Sequence, residues 1–84
     1  MNAPNEKLPL KTNSELMQRR AAALPRGVGQ GHALFAERAD NAEIWDVEGH
    51  RWIDFCAGIA VVNTGHCHPR VMEAARQQLQ SFTH

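Results

Sequence analysis

Eighty-four residues carry nine basic and nine acidic side chains, and 43% of them are hydrophobic. A chain this short buries only about 60% of the surface its unfolded form exposes, so it supports one small domain of thin stability at most. Neutrality excludes the basic footprint of a nucleic-acid or anionic-membrane binder, and no apolar run approaches the ~20 residues that span a bilayer.

Residues 1–11 are polar, contain Pro4 and Pro9 and hold no apolar signal-peptide core, so they read as a mobile lead-in to a cytoplasmic chain. Thr12 and Glu15 have the T-x-x-E spacing of a capping box, in which the threonine oxygen accepts from an amide three residues on. A helix is expected over 13–23, with Leu16, Arg20 and Ala23 along one side and Pro25 and Gly27 ending it. Gly27, Gly29 and Gly31 alternate through the next stretch, which suggests a looped backbone that something approaches closely. Short strands are expected over 33–38, 42–46 and 51–55. Between the last two, Asp46-Val47-Glu48-Gly49 has the residues of a type I turn. The apolar, small-residue stretch 56–65 reads as a buried loop or an irregular strand. Pro69 suits a first helical position. Beyond it Val71, Met72, Ala75, Leu79 and Phe82 recur at helical spacing, opposite Arg70, Glu73, Arg76 and Gln77.

Taken locally, no motif identifies an activity. The glycine run is not a dinucleotide fingerprint, because His32 stands where G-x-G-x-x-G needs its last glycine. His66, Cys67 and His68 are metal-ligand types, but a structural zinc site needs four ligands at recognisable spacings, and His50 and His84 do not supply them. The blander expectation is that both imidazoles bond backbone groups and fix the loop before the helix. A nucleophilic pairing of Cys56 or Cys67 with His66 lacks an orienting third group. Reduced thiols acting as small buried hydrophobes are expected instead. Asp46, Glu48 and Asp54 fit solvated or capping roles better than paired catalytic carboxylates.

The combination is more informative. Ile44-Trp45-Asp46-Val47-Glu48-Gly49-His50-Arg51-Trp52-Ile53-Asp54-Phe55 resembles the W-D-x-x-G-x-x-[YFW]-[IL]-D-F segment of class III aminotransferases. The run from Gly58 to Val71 matches that family's G-I-A-V-x-N-x-G-H-x-H-P-x-V at the family's interval. Upstream, Leu16-Met17-Gln18-Arg19-Arg20 and Pro25-Arg26-Gly27-Val28-Gly29-Gln30 are similar to the opening of the bacterial 4-aminobutyrate branch. The resemblance covers residues 14–84 without a gap.

This resemblance implies an α+β piece of a fold-type I aminotransferase: a leading helix, short antiparallel strands and an amphipathic helix. Residues 12–84 would be the N-terminal segment of that fold, incomplete without downstream chain. The implied cofactor is pyridoxal phosphate, and the implied reaction moves the amino group of 4-aminobutyrate to 2-oxoglutarate. Alternatives left open are 5-aminovalerate or another ω-amino acid as donor, and a non-catalytic module that pairs with a full-length subunit. The implied assembly is a homodimer. In this family the Schiff-base lysine and the phosphate-binding residues lie downstream, and Lys7 and Lys11 match no catalytic position, so the chain alone is expected to be inactive. Two substrate-site residues carry over. Ile59 matches a position whose side chain lines the site, where an apolar residue fits a methylene chain; an ordinary core isoleucine is the competing role. Gly31 matches a neighbouring position that is aromatic in ornithine-acting relatives and here contributes no side chain. A chain without tyrosine and with three phenylalanines and two tryptophans has little to build a core from, which agrees with a segment that packs on the rest of a larger fold.

Overall fold

A computed structural model describes residues 12–84. In chain order it has α1 (Asn13–Ala23), β1 (Ala36–Asp40), β2 (Glu43–Asp46), β3 (Arg51–Ile53), a single helical turn α2 (Ala57–Ala60) and α3 (Pro69–Ser81). The strands form one antiparallel sheet in the order β1-β2-β3. The arrangement is α+β, and the lead-in expected at residues 1–11 lies outside the described residues.

Helix α1 begins where the capping pattern predicts: the Thr12 hydroxyl oxygen accepts from the Glu15 amide at 3.1 Å. It ends ahead of Pro25, with the Leu24 amide donating to the Arg20 carbonyl. Asn13, its first residue, fastens the helix to the sheet. Its side-chain oxygen accepts from the Phe35 amide at 2.7 Å, and its Nδ2 donates to Glu48 at 2.7 Å and to Asp46 at 3.3 Å. Arg20 donates to the carbonyls of Val28 and Gly29 and so holds the glycine run against the helix. The close neighbour expected at that run is not found, for a Cβ built on Gly27, Gly29 or Gly31 meets no described atom within 4 Å.

The first strand lies later than the expected 33–38. The Phe35 amide is taken by Asn13 and is lost to the ladder, whereas β1 continues to Asp40 because a two-residue reversal at Asn41 and Ala42 pairs Asp40 with Glu43. Asn41 adopts a left-handed φ of 50°, which its short polar side chain tolerates. A bulge at Glu37 breaks the register between Ala36 and Arg38. Arg38 then faces Trp45 across the strands, its guanidinium 3.6 Å from the ring centroid. Hairpin β2-β3 closes through the predicted turn, the Gly49 amide donating to the Asp46 carbonyl at 3.0 Å. The third strand stops at Ile53, short of the expected Phe55, because the Asp54 side chain turns to cap the amides of Cys56 and Ala57.

Residues 56–65 form neither a strand nor a buried loop. Ala57, Gly58, Ile59 and Ala60 all have left-handed φ, between 51° and 63°, and make one left-handed helical turn. Helix α3 spans the predicted stretch, with Pro69 in its first turn. On its polar side Arg76 and Gln77 both donate to Glu73. Val71, Met72, Leu79 and Phe82, its apolar stripe, are all exposed. Among the described residues no hydrophobic side chain is buried, so the sheet and its hydrogen-bonded attachments, rather than a core, define the arrangement.

Candidate functional site

Two aspartates of the resemblance segment organise the sheet's surroundings. Asp46 is completely buried, so of the solvated or capping roles expected of it, it takes the capping one. Its Oδ1 accepts from the Glu48 and His50 amides, both at 2.9 Å. Its Oδ2 accepts from the Trp52 indole at 3.1 Å, and from His50 and Asn13 at 3.3 Å. Burial by itself raises a carboxyl pKa. Here the bonds from Trp52, His50, Glu48 and Asn13 outweigh it and lower Asp46 from 3.8 to about 2. A buried anion with this many donors is fully satisfied. It acts as the pin between α1, the β2-β3 turn and the Trp52 ring.

Asp54 is the second pin. Its Oδ1 accepts from the Cys56 and Ala57 amides, both at 2.9 Å, which is the capping role the sequence suggested. Its Oδ2 meets His66 Nε2 at 2.6 Å. The His66 bond, helped by the Ala57 and Cys56 amides, holds this carboxyl below its ordinary value against the effect of burial. With the carboxylate ionised, Nε2 is the donor. His66 therefore bonds a carboxylate through its ring, not the backbone group expected of it. Its own backbone pairs with Asn41 in both directions at 2.9 Å. Gly65 permits that approach: a Cβ there would lie 2.6 Å from the Asn41 side-chain oxygen and 3.0 Å from its Cα, at a φ of +82°. His68 does behave as expected, its Nδ1 accepting from the Arg70 amide at 3.2 Å.

Between Asp54 and His66 sits α2. Left-handed helical backbone costs L-residues roughly 1–2 kcal/mol each, and Gly58 is its only glycine. For a β-branched residue such as Ile59 the conformation is an outlier, of the kind that persists only where the surroundings enforce it. Ile59 is 91% exposed, so within the described chain it is not the core isoleucine weighed as an alternative. Against its neighbour Gly58 lies an open groove of about 490 Å³, walled by Leu34, Ile44, Trp52, Ile53 and Phe55. His32, Cys56, Gly58, Asp54 and His66 complete the lining. The two substrate-site candidates, Gly31 and Ile59, do not line the groove themselves; their chain neighbours His32 and Gly58 do. Cys56 and Cys67 are free and exposed, not the buried hydrophobes expected. Among the described residues no cluster of three or more His, Cys, Asp or Glu is arranged to hold a metal, and no helix is long and apolar enough to cross a membrane.

The family model described as Aminotransferase class-III matches residues 23–84. The chain belongs to the class III aminotransferases. It is 56% identical over 75 residues to the 4-aminobutyrate aminotransferase of Escherichia coli, covering 89% of this chain and 18% of that relative. It is 58% identical over 74 residues to the 5-aminovalerate aminotransferase of Pseudomonas aeruginosa, covering 88% of this chain and 17% of that relative. The chain thus spans less than a fifth of the length of these curated relatives. Ornithine δ-aminotransferase of Plasmodium falciparum shares the fold, with a TM-score of 0.81 at 24% identity over 88% of this chain and 19% of that one. The ω-transaminase of Thermomicrobium roseum has a TM-score of 0.68 at 28% identity, covering 87% of this chain and 18% of that one.

Class III enzymes use pyridoxal phosphate. The residues described do not by themselves fit that group. Lys7 and Lys11, the chain's only lysines, both fall in 1–11, so residues 12–84 offer no amine for a Schiff base. Asp46 and Asp54, which each accept several hydrogen bonds, are committed to partners within the chain and neither is free to face a pyridine nitrogen.

Sequence reasoning placed Asp46 in its turn but did not find its bonds to Asn13 and Trp52, and it left His66 without its carboxylate. The Asp-x-x-Gly turn signal was available locally. The pairing of residues 54 and 66 has no local signal, because it depends on how the chain reverses between them.

Proposed function

We propose that this chain forms the N-terminal part of a pyridoxal-phosphate-dependent ω-aminotransferase, one that moves an amino group from 4-aminobutyrate to 2-oxoglutarate. Its share of the work lies on the substrate side. Ile59 presents an apolar surface to the donor's methylene chain, and Gly31, lacking a side chain, leaves the adjoining space open. The observation that carries this reading is Ile59 itself: an isoleucine held in left-handed backbone, 91% exposed, and next in the chain to Gly58, which lines an apolar groove. A large apolar side chain held outward against its conformational preference fits a contact with a ligand or with the rest of an active site. Catalysis proper belongs to residues that this chain does not supply, so the 84-residue chain alone is inactive. The exposed apolar face of α3 and the groove meet the remainder of the subunit and its partner in a homodimer.

The 58% identity with the Pseudomonas enzyme supports a second reading, in which 5-aminovalerate is the donor. Both readings use Ile59 in the same way and differ by one methylene in the substrate.

The test is a chimaera in which residues 12–84 replace the matching segment of the Escherichia coli relative. Transamination with 4-aminobutyrate and 2-oxoglutarate is retained if the segments are equivalent, and an inactive but folded chimaera overturns the proposal. Ile59→Tyr in that chimaera lowers kcat/KM for 4-aminobutyrate by at least about tenfold, the scale on which an apolar pocket discriminates a mismatch in shape. Unchanged kinetics remove Ile59 from the site.

A further inference from the structure

Ile59, within α2, is 91% exposed and has little packing of its own to hold it, yet its backbone lies in a run of four left-handed residues. Left-handed φ at four successive positions needs anchors at both ends. The structure provides them. Upstream, the Asp54 amide donates to the Ala42 carbonyl at 2.8 Å, and the Asp54 carboxylate takes the amides of Cys56 and Ala57. Within the turn, the Ala60 amide donates to the Cys56 carbonyl at 3.0 Å and the Val61 amide to the Ala57 carbonyl at 2.7 Å. Downstream, the Gly65 amide donates to the Val62 carbonyl, and His66 pairs with Asn41 at the tip of β1-β2. The His66–Asp54 bond closes the circuit across the base of the turn at 2.6 Å.

We propose that Asp54 and His66 form a positioning pair that sets the donor-chain-length preference of the enzyme by holding the left-handed turn that carries Ile59. This rests on the reading of Ile59 as a contact for the donor's methylene chain. Neither residue of the pair has to touch the substrate. The Asp54 side chain is 8% exposed and His66 21%, and the two are spent on each other. Cutting their bond leaves the sheet's own hydrogen bonds in place but frees the base of the turn. Ile59 then relaxes from its outlying backbone and moves relative to the groove. The consequence is a change in how the site distinguishes a four-carbon from a five-carbon ω-amino acid, rather than a uniform loss of activity.

The readout is the ratio of kcat/KM for 4-aminobutyrate to that for 5-aminovalerate, measured on the cofactor-loaded chimaera. Both donors are assayed on one preparation, so the ratio cancels the fraction of folded enzyme, and a purely structural defect leaves it unmoved. Ile59→Ala, Asp54→Asn and His66→Phe are each expected to shift the ratio by at least about threefold in the same direction, part of the roughly tenfold or greater effect of one methylene in an apolar pocket. Combining Asp54→Asn with Ile59→Ala shifts it no further than Ile59→Ala alone, because residues acting through one another are not additive. His66→Gln keeps a donor near the Nε2 position and restores the parent ratio, and it serves as the folded control should His66→Phe be lost to misfolding. If Ile59→Ala moves the ratio while the Asp54 and His66 variants do not, or if their effects add to it, the positioning role is overturned and the reading of Ile59 survives. If Ile59→Ala itself leaves the ratio unchanged, the reading of Ile59 falls and this inference falls with it.

Discussion

At Asp46, burial and hydrogen bonding pull the carboxyl in opposite directions, and the bonds win. The folded-state pKa of about 2 lies below the ordinary 3.8. The stabilisation is therefore fully present above about pH 4 and is lost as pH falls toward 2. In the chimaera, the gap in urea midpoint between the parent and Asp46→Asn should narrow steadily from about pH 4.5 to about pH 2.5; a constant gap would contradict the assignment. Gly65 gives a steric counterpart. With a left-handed φ of +82° and Asn41 atoms at 2.6 and 3.0 Å from any Cβ, Gly65→Ala should lower stability by at least about 1 kcal/mol. Gly31→Ala, with no described atom within 4 Å of its Cβ, should stay within about 0.5 kcal/mol of the parent. Equal midpoints for the two variants would show that the approach of residue 65 to Asn41 is not a constraint.

Elements here are held by their ends. Helix α1 is fixed through its cap and through Asn13, hairpin β2-β3 through Asp46, and α2 through Asp54 and His66. The handedness of α2 makes a sign prediction. A glycine normally weakens a helix interior, but in left-handed backbone it relieves strain of roughly 1–2 kcal/mol per L-residue. Ala60→Gly should therefore raise the urea midpoint of the chimaera at unchanged slope. A fall of the size expected for glycine in a right-handed helix would rule the left-handed turn out. Helix α3 is the opposite case, regular and strongly amphipathic, with nothing among the described residues covering its apolar stripe.

On the scale of the whole molecule, hydrogen bonds are abundant and no hydrophobic side chain among the described residues is fully buried. Phe55 is 94% exposed and Val61 and Leu79 are largely so. Hydrogen bonds contribute about 1 kcal/mol net each, and with so little apolar area buried they do not offset chain entropy. The 84-residue chain alone should melt over a broad, weakly cooperative range by circular dichroism and bind an apolar dye. A sharp transition without dye binding would show that it has a core of its own.

The local grammar of this protein is written in its sequence. Thr12 and Glu15 start α1, Asp46 to Gly49 turn the hairpin, Pro69 opens α3, and the ordered string from Ile44 to Val71 marks the family, because capping, turn formation and helical periodicity act between near neighbours. The tertiary structure alone decided the rest. It buried Asp46 under Trp52 and Asn13, paired Asp54 with His66, brought Gly65 against Asn41 and wound 57–60 to the left, where a small apolar stretch had suggested a strand or a buried loop. Each of these depends on groups far apart in the chain meeting across a reversal of its direction. Such contacts override local preference only once the sheet has fixed the distance between them.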